Sequence, residues 1–280
     1  MSAPATKPDF ELVIEAGKHA RTYWSDIWRY RELLFFLSWR DLKVRYKQSA
    51  IGAAWALTQP LFTMAVFTVV FGKLAKLPSG GVPYPILVFA GLLPWQFFAN
   101  ALGEITGSLV ANSNLLSKVY FPRIIIPAST LLVCLVDFLI SSLILVALFA
   151  WYGMYPDWRI VALPGFFLLA LLSVFALGLW LTIFNVKFRD FRFAVPFIVQ
   201  LGVFISPVGF SSAVIADEWR PVYSLNPLVQ VIEGFRWSLL RGDGQLRLPY
   251  VGVSFAMLIV VLAGGLWYFR RNERTFADVI

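Results

Sequence analysis

The 280-residue chain has one cysteine and one histidine. A lone cysteine closes no disulfide within the chain, and Cys134 lies inside an apolar run, the setting of a buried, inert thiol. With His19 as the only imidazole, no His/Cys zinc set is available. No G-x-x-x-x-G-K-[ST] occurs, so the chain carries no phosphate-cradling loop of its own. Nor can a nucleophile–base–acid set be assembled, because His19 precedes the first apolar run; catalysis by this chain is not expected. Charge is scarce as well: Asp, Glu, Lys and Arg make up 14% of the residues, where a soluble domain has about 25%. The first 30 residues contain "PDFELVIEAGKHARTYWSDIWRYR" and lack the short apolar core and cleavage site of a signal peptide.

What is present instead is oil. Hydrophobic residues are 59% of the chain and the mean hydropathy is +0.72. A water-soluble fold of this size would expose much of that surface, so the expected class is an all-α polytopic membrane protein. Six stretches approach the roughly 20 apolar residues that a span needs: 51–71, 85–102, 124–151, 160–186, 193–210 and 250–269. The net charge of +8 does not point to nucleic acid, because the bases flank these runs, where they set orientation and meet anionic lipid. With six spans both termini share a side, and seventeen of the 24 Lys and Arg fall there, against seven opposite. That asymmetry predicts cytoplasmic termini.

The stretch "WRDLKVRYKQSAIGAAWALTQPLF" runs from a basic segment straight into the first apolar one. On a helix Phe35, Trp39, Leu42 and Tyr46 share one face, and Arg40, Lys43 and Lys47 another. This predicts an amphipathic interface helix over 29–48, apolar side toward acyl chains, followed by a tight bend into the first span. A helix packed on a soluble domain would show the same pattern, but no such domain follows. The connection 211–249 is too long for a simple turn. Within it "NPLVQVIEGFRWSLL" has helical order, with Asn226 as N-cap, Pro227 at the first helical position and Glu233–Arg236 as an i, i+3 pair. A short helical hairpin dipping into the outer leaflet, acting as an external gate, fits this pattern.

Asp137 lies mid-span and Glu104 at the end of the second span. Such carboxylates face the bundle interior or water. They serve as a proton relay or substrate contact, or Asp137 simply hydrogen-bonds Ser141, Ser142 or a neighbouring helix; the sequence leaves both open. The chain has 26 Phe, 11 Trp and 10 Tyr. Most suit interface anchoring. Trp55, Phe62 and Phe67, with Phe197, Phe204 and Phe210, lie deeper and are candidates to line a channel, since an aromatic face stacks on the C–H face of a sugar while tolerating a change of sugar.

Five segments, "RYKQSAIGAAWALTQPL", "FAGLLPWQFFANAL", "LLSKVYFPRIIIPAS", "NVKFRDFRFAVPF" and "NPLVQVIEGFRWSLL", occur in the order found in one family. Over about 33–269 the chain resembles the permease subunit of ABC exporters for bacterial surface polysaccharides, the O-antigen exporters above all, with capsule and teichoic acid exporters as near relatives. The resemblance implies a channel between two copies of the chain, with two copies of a separate ATPase subunit beneath. ATP and Mg would bind that subunit, and this chain would hold no cofactor. It implies a coupling segment at Asn114, Leu115, Leu116, Ser117, Lys118, Tyr120, Phe121, Pro122 and Arg123. It turns Arg40, Lys43, Arg45 and Lys47 into candidate contacts for the pyrophosphate of a lipid-linked glycan at the cytoplasmic entrance. It also matches Asn226, Pro227, Glu233 and Arg236 to the external gate helices.

The expected organisation is therefore a cytoplasmic segment 1–28, the interface helix 29–48, a six-span domain 49–270 holding the gate hairpin, and a cytoplasmic tail 271–280, in a bacterial inner membrane. Three other readings stay open. They are an ABC exporter permease for a small amphiphile such as a drug or lipid, a proton-coupled carrier using Asp137 and Glu104, and a membrane enzyme acting on lipid-linked glycan.

Overall fold

A computed structural model describes residues 20–47, 50–188, 190–241, 246–273 and 276. Among them there is helix and no strand. In chain order these are α1 (Ala20–Arg29), α2 (Arg31–Lys47), α3 (Ala50–Phe67) with a wider π turn over Thr68–Leu74, α4 (Tyr84–Ala111) and α5 (Ser113–Lys118). There follow α6 (Ile125–Trp151), a 3-10 turn at Trp158–Ala162, α7 (Leu163–Lys187), α8 (Phe191–Ile205), a second 3-10 turn at Ser212–Val214, α9 (Arg220–Tyr223), α10 (Pro227–Leu239) and α11 (Leu248–Asn272).

Among the described residues five helical stretches are long and apolar enough to cross a membrane: Leu57–Leu74, Tyr84–Ala111, Ile125–Trp151, Trp158–Lys187 and Leu248–Asn272. The expected second span, 85–102, is one unbroken helix of 28 residues. It runs on past Glu104 because Ile105, Thr106, Ser108 and Leu109 keep a buried face going for two more turns. The expected fifth span, 193–210, is shorter than the sequence implies: α8 has 15 residues, about 22 Å of helix, against a hydrocarbon core of about 30 Å. Ser206 stops it by turning extended (φ −91°, ψ 149°), as a residue before proline is driven to do.

α4 is the axis of the molecule. Its buried residues run from Ile86 to Leu109, and α3, α6, α7, α8 and α10 all pack on it. α7 approaches it closely, for a Cβ on Gly178 would stand 2.6 Å from Ile105 Cγ2. Thr182 and Asn185 fasten the same seam, donating to the carbonyls of Ile105 and Thr106 at 2.9 and 3.0 Å. A second core at the terminal end joins Leu37, Leu116, Phe121, Ile124, Ile125, Phe269 and Phe276.

α10 is a wedge. Eleven of its residues are buried, among α4, α7, α11 and the 158–162 turn, and a Cβ on Gly234 would collide with the Phe166 ring at 2.1 Å. Of the irregular backbone around it, 206–209 is buried, whereas most of 214–225 is exposed.

Candidate functional site

α2 is built differently from a helix lying flat across the ends of the spans. Ser38 Oγ donates to the Ser129 carbonyl at 3.3 Å, and seven to eight residues later Arg45 and Tyr46 donate to Asp137, eight residues further along α6. At about 1.5 Å per residue, equal spacings mean that α2 climbs alongside α6 for some two turns. α4 repeats the pattern in the opposite sense: Arg40 reaches Asn112 at 2.9 Å and Arg45 reaches Glu104 at 2.8 Å. The face drawn from sequence is therefore split. Phe35 and Trp39 point outward, while Leu42 and Tyr46 turn toward the protein. The reason is chemical: the polar groups on α2 that face inward meet polar partners on α6 and α4, which outweighs the apolar stripe.

The four expected entrance bases stand in different surroundings. Arg45 sits between Asp137 and Glu104 with its guanidinium committed to both. Arg40 pairs with Asp41 at 2.8 Å as well as with Asn112. Lys43 lies 5.3 Å over the Trp39 ring and faces outward with Lys47. Asp137 is thus held by α2, and neither Ser141 nor Ser142 is its partner: Ser142 donates to the Phe138 carbonyl at 2.8 Å. Beside this knot a cavity of about 130 Å³ opens between α2, α3, α4 and α6.

In the expected coupling segment, α5 and the turn after it divide cleanly. Leu116, Phe121 and Pro122 are buried, and Leu115 and Arg123 partly so; Asn114, Ser117, Lys118 and Tyr120 stand out, Tyr120 with 73% of its surface exposed. Arg123 is pinned to the chain's end. Its N–H donates to the Glu273 carboxylate at 2.5 Å and its guanidinium to the Glu273 carbonyl. Burial pushes the Glu273 carboxyl above its ordinary range, partly offset by the Arg123 N–H and by Arg123 and Arg270.

At the opposite end, Asn226 Oδ1 accepts from the Leu228 N–H at 3.1 Å and Pro227 opens α10. The expected Glu233–Arg236 ion pair is not formed among the described residues. Arg236 instead donates to three carbonyls, Leu87 at 3.2 Å, Phe210 at 2.7 Å and Val208 at 2.8 Å, and so ties α10 to α4 and to the turn after α8. Free carbonyls left by the end of α8 explain this choice, since a guanidinium fork serves several acceptors at once.

Of the channel-lining candidates, Phe62, Phe197 and Phe204 are 71%, 61% and 63% exposed on α3 and α8. Phe67 and Phe210 are half-buried, Phe67 packing edge-on against Phe71 beside Gly209. The side chain of Trp55 lies outside the described residues. The π turn after α3 meets the turn after α8 where Phe67 and Phe71 pack on Gly209, whose carbonyl accepts from Tyr84 Oη at 2.9 Å. Sequence reasoning missed the Arg45–Asp137–Glu104 knot and the Arg123–Glu273 pin. Lone carboxylates in apolar runs were the available signal for the first; nothing local marks the second.

Helices of spanning length around a buried axis, a wedge helix entering at one end and two nearly bare apolar helices describe a multi-pass membrane transporter component. The chain belongs to the ABC-2 type transporter family, whose sequence model matches residues 32–240. It is similar to the O-antigen export system permease protein RfbA of Myxococcus xanthus, with 31% identity covering 91% of this chain and 98% of that one. RfbA of Klebsiella pneumoniae is 27% identical over 89% and 95% of the two chains. The polysialic acid transport protein KpsM of Escherichia coli is 24% identical over 84% and 91%. The family resemblance carried by the five ordered segments is met.

Proposed function

We propose that this chain is the permease subunit of an ATP-driven exporter that carries a lipid-linked, O-antigen-like polysaccharide from the cytoplasmic to the outer side of the inner membrane. The observation that carries this reading is the near-complete alignment with O-antigen export permeases. Two copies of the chain pair through the exposed faces of α3 and α8, and the glycan passes between them over Phe62, Phe197 and Phe204. ATP is hydrolysed on a separate subunit, which takes hold of Lys118 and Tyr120 at the exposed edge of α5. Both termini are cytoplasmic. Lys43 and Lys47, the outward bases of α2, meet the pyrophosphate of the lipid carrier.

Deleting the gene and restoring it from a plasmid tests the proposal. Surface polysaccharide should vanish and return, with lipid-linked glycan accumulating inside the deleted cells. Intact surface glycan with altered tolerance to amphiphilic drugs would instead favour a small-amphiphile exporter. A proton-coupled carrier is disfavoured, because Asp137 is engaged by Arg45 and Tyr46.

A further inference from the structure

The cavity between α2, α3, α4 and α6 lies at mid-height of its walls. Gln59 is near the middle of the continuous stretch from α3 through the π turn, Gln96 and Asn100 near the middle of α4, and Ser141 near the middle of α6. The side-chain amides of these three residues and the Ser141 hydroxyl make no hydrogen bond to any described residue. Gln59 and Asn100 are exposed and Gln96 and Ser141 half-buried, so four polar groups with no hydrogen-bond partner among the described residues open onto one space of about 130 Å³, where an incoming polar group can meet them.

The charges around the cavity say what kind of group enters. Arg45 is one cation between two carboxylates, Glu104 and Asp137, so the knot carries a net negative charge and the guanidinium is already committed. A phosphate would meet repulsion rather than a free cation. The uncommitted groups are amides and a hydroxyl, each both donor and acceptor, which suit neutral hydroxyls. Phe97, Phe138 and Leu93 supply apolar wall beside them, suited to a C–H face. At about 130 Å³ the space is too small for a run of sugars and takes at most one ring.

We propose that this cavity is a subsite for a single neutral, hydroxyl-bearing sugar ring, separate from the exposed α3/α8 aromatics. The assignment rests on the exporter reading above. It gives the Arg45 knot a second task, keeping charged groups out while the amides align hydroxyls. Hydroxyl-rich rings also occur on membrane glycolipids, and the experiment separates the two sources.

A photoreactive benzoylphenylalanine is placed at Gln96, and in a second variant at Ser141, of the full chain expressed with its ATPase in glycan-producing cells. Matching probes replace Phe62 and Phe204. The expected result is an adduct at Gln96 and Ser141 carrying glycan, absent from cells blocked in glycan synthesis. An adduct of lipid mass that survives the block, or no adduct while Phe62 and Phe204 trap glycan, overturns the subsite and leaves the exporter reading standing. If no position traps glycan and deletion leaves the surface unchanged, the exporter reading itself falls. Where the bulky probe prevents folding, Asn100→Leu combined with Ser141→Val fills the space with apolar atoms. That variant should insert normally and export about tenfold less glycan, the loss expected from a few hydrogen bonds. Unchanged export overturns the subsite.

Discussion

α4 and the pair α3 and α8 have similar apolar composition but very different surroundings. In the most apolar window of α4, 78% of residues are buried within the chain, against 6% for Leu57–Leu74. Val195 is the one buried residue of α8 among those described. α4 holds its neighbours by close backbone approach and buried hydrogen bonds, and so it organises the monomer. α3 and α8 hold little, yet they expose Phe62, Val66, Phe193, Phe197 and Phe204. Two apolar helices, one too short to span by itself, are left for something outside the monomer. The contrast teaches that hydrophobicity marks what lies in the membrane, while burial separates what the chain keeps for itself from what it offers.

Breaking the buried side should have the largest effect. Arg236→Leu would leave the carbonyls of Leu87, Val208 and Phe210 without their donor and destabilise the chain by about 3–5 kcal/mol. Thermal unfolding in detergent, with Arg236→Lys falling between the two, checks this. Next comes the joint between α2 and the body. Asp137→Ala should cost about 1–3 kcal/mol, moderated because both partners are partly exposed. It should also open α2 to proteolysis, and the charge swap Arg45→Asp with Asp137→Arg should restore part of the protection.

A smaller effect is expected at the Arg123–Glu273 pin. The folded state raises the Glu273 pKa by burial, so folded protein holds that proton more tightly than unfolded chain. Its stabilising contribution is full below the unfolded value of about 4.3 and is lost as pH rises through the folded one. Protection of amides near Arg123, relative to their intrinsic exchange at each pH, should therefore be greater in mild acid, and Glu273→Gln should flatten that dependence. The smallest stability change should follow Phe62→Ala, Phe197→Ala or Phe204→Ala, each within about 0.5 kcal/mol for the solubilised monomer. Export assays on the same variants should fall sharply, which sharpens the contrast between the two regions.

Much of this was legible in the sequence. Apolar length marks α6, α7 and α11, and the Asn226–Pro227 pair marks the start of α10. The end of α8 was less legible, because the apolar run continues through Val208 and Phe210 while Pro207 constrains the backbone. The tilt of α2 was hidden for a different reason. A helical wheel sorts residues by polarity, but the partners of Ser38, Arg45 and Tyr46 lie about ninety residues away. Gln59, Gln96 and Asn100 are visible as isolated polar residues in apolar runs; only the fold shows that they face one cavity. Similarly, Arg236 offered Glu233 by spacing, and tertiary carbonyls won.

The most direct measurement of the central claim is disulfide trapping between copies in native membranes. In a Cys134→Ala background, Phe62→Cys and Phe204→Cys on the bare flank are compared with Leu143→Cys on α6 and Val260→Cys on α11, which are equally exposed in the monomer. The account predicts oxidised dimers from the first pair and monomers from the second. Dimers formed through Leu143 or Val260, with none through Phe62 or Phe204, would contradict it.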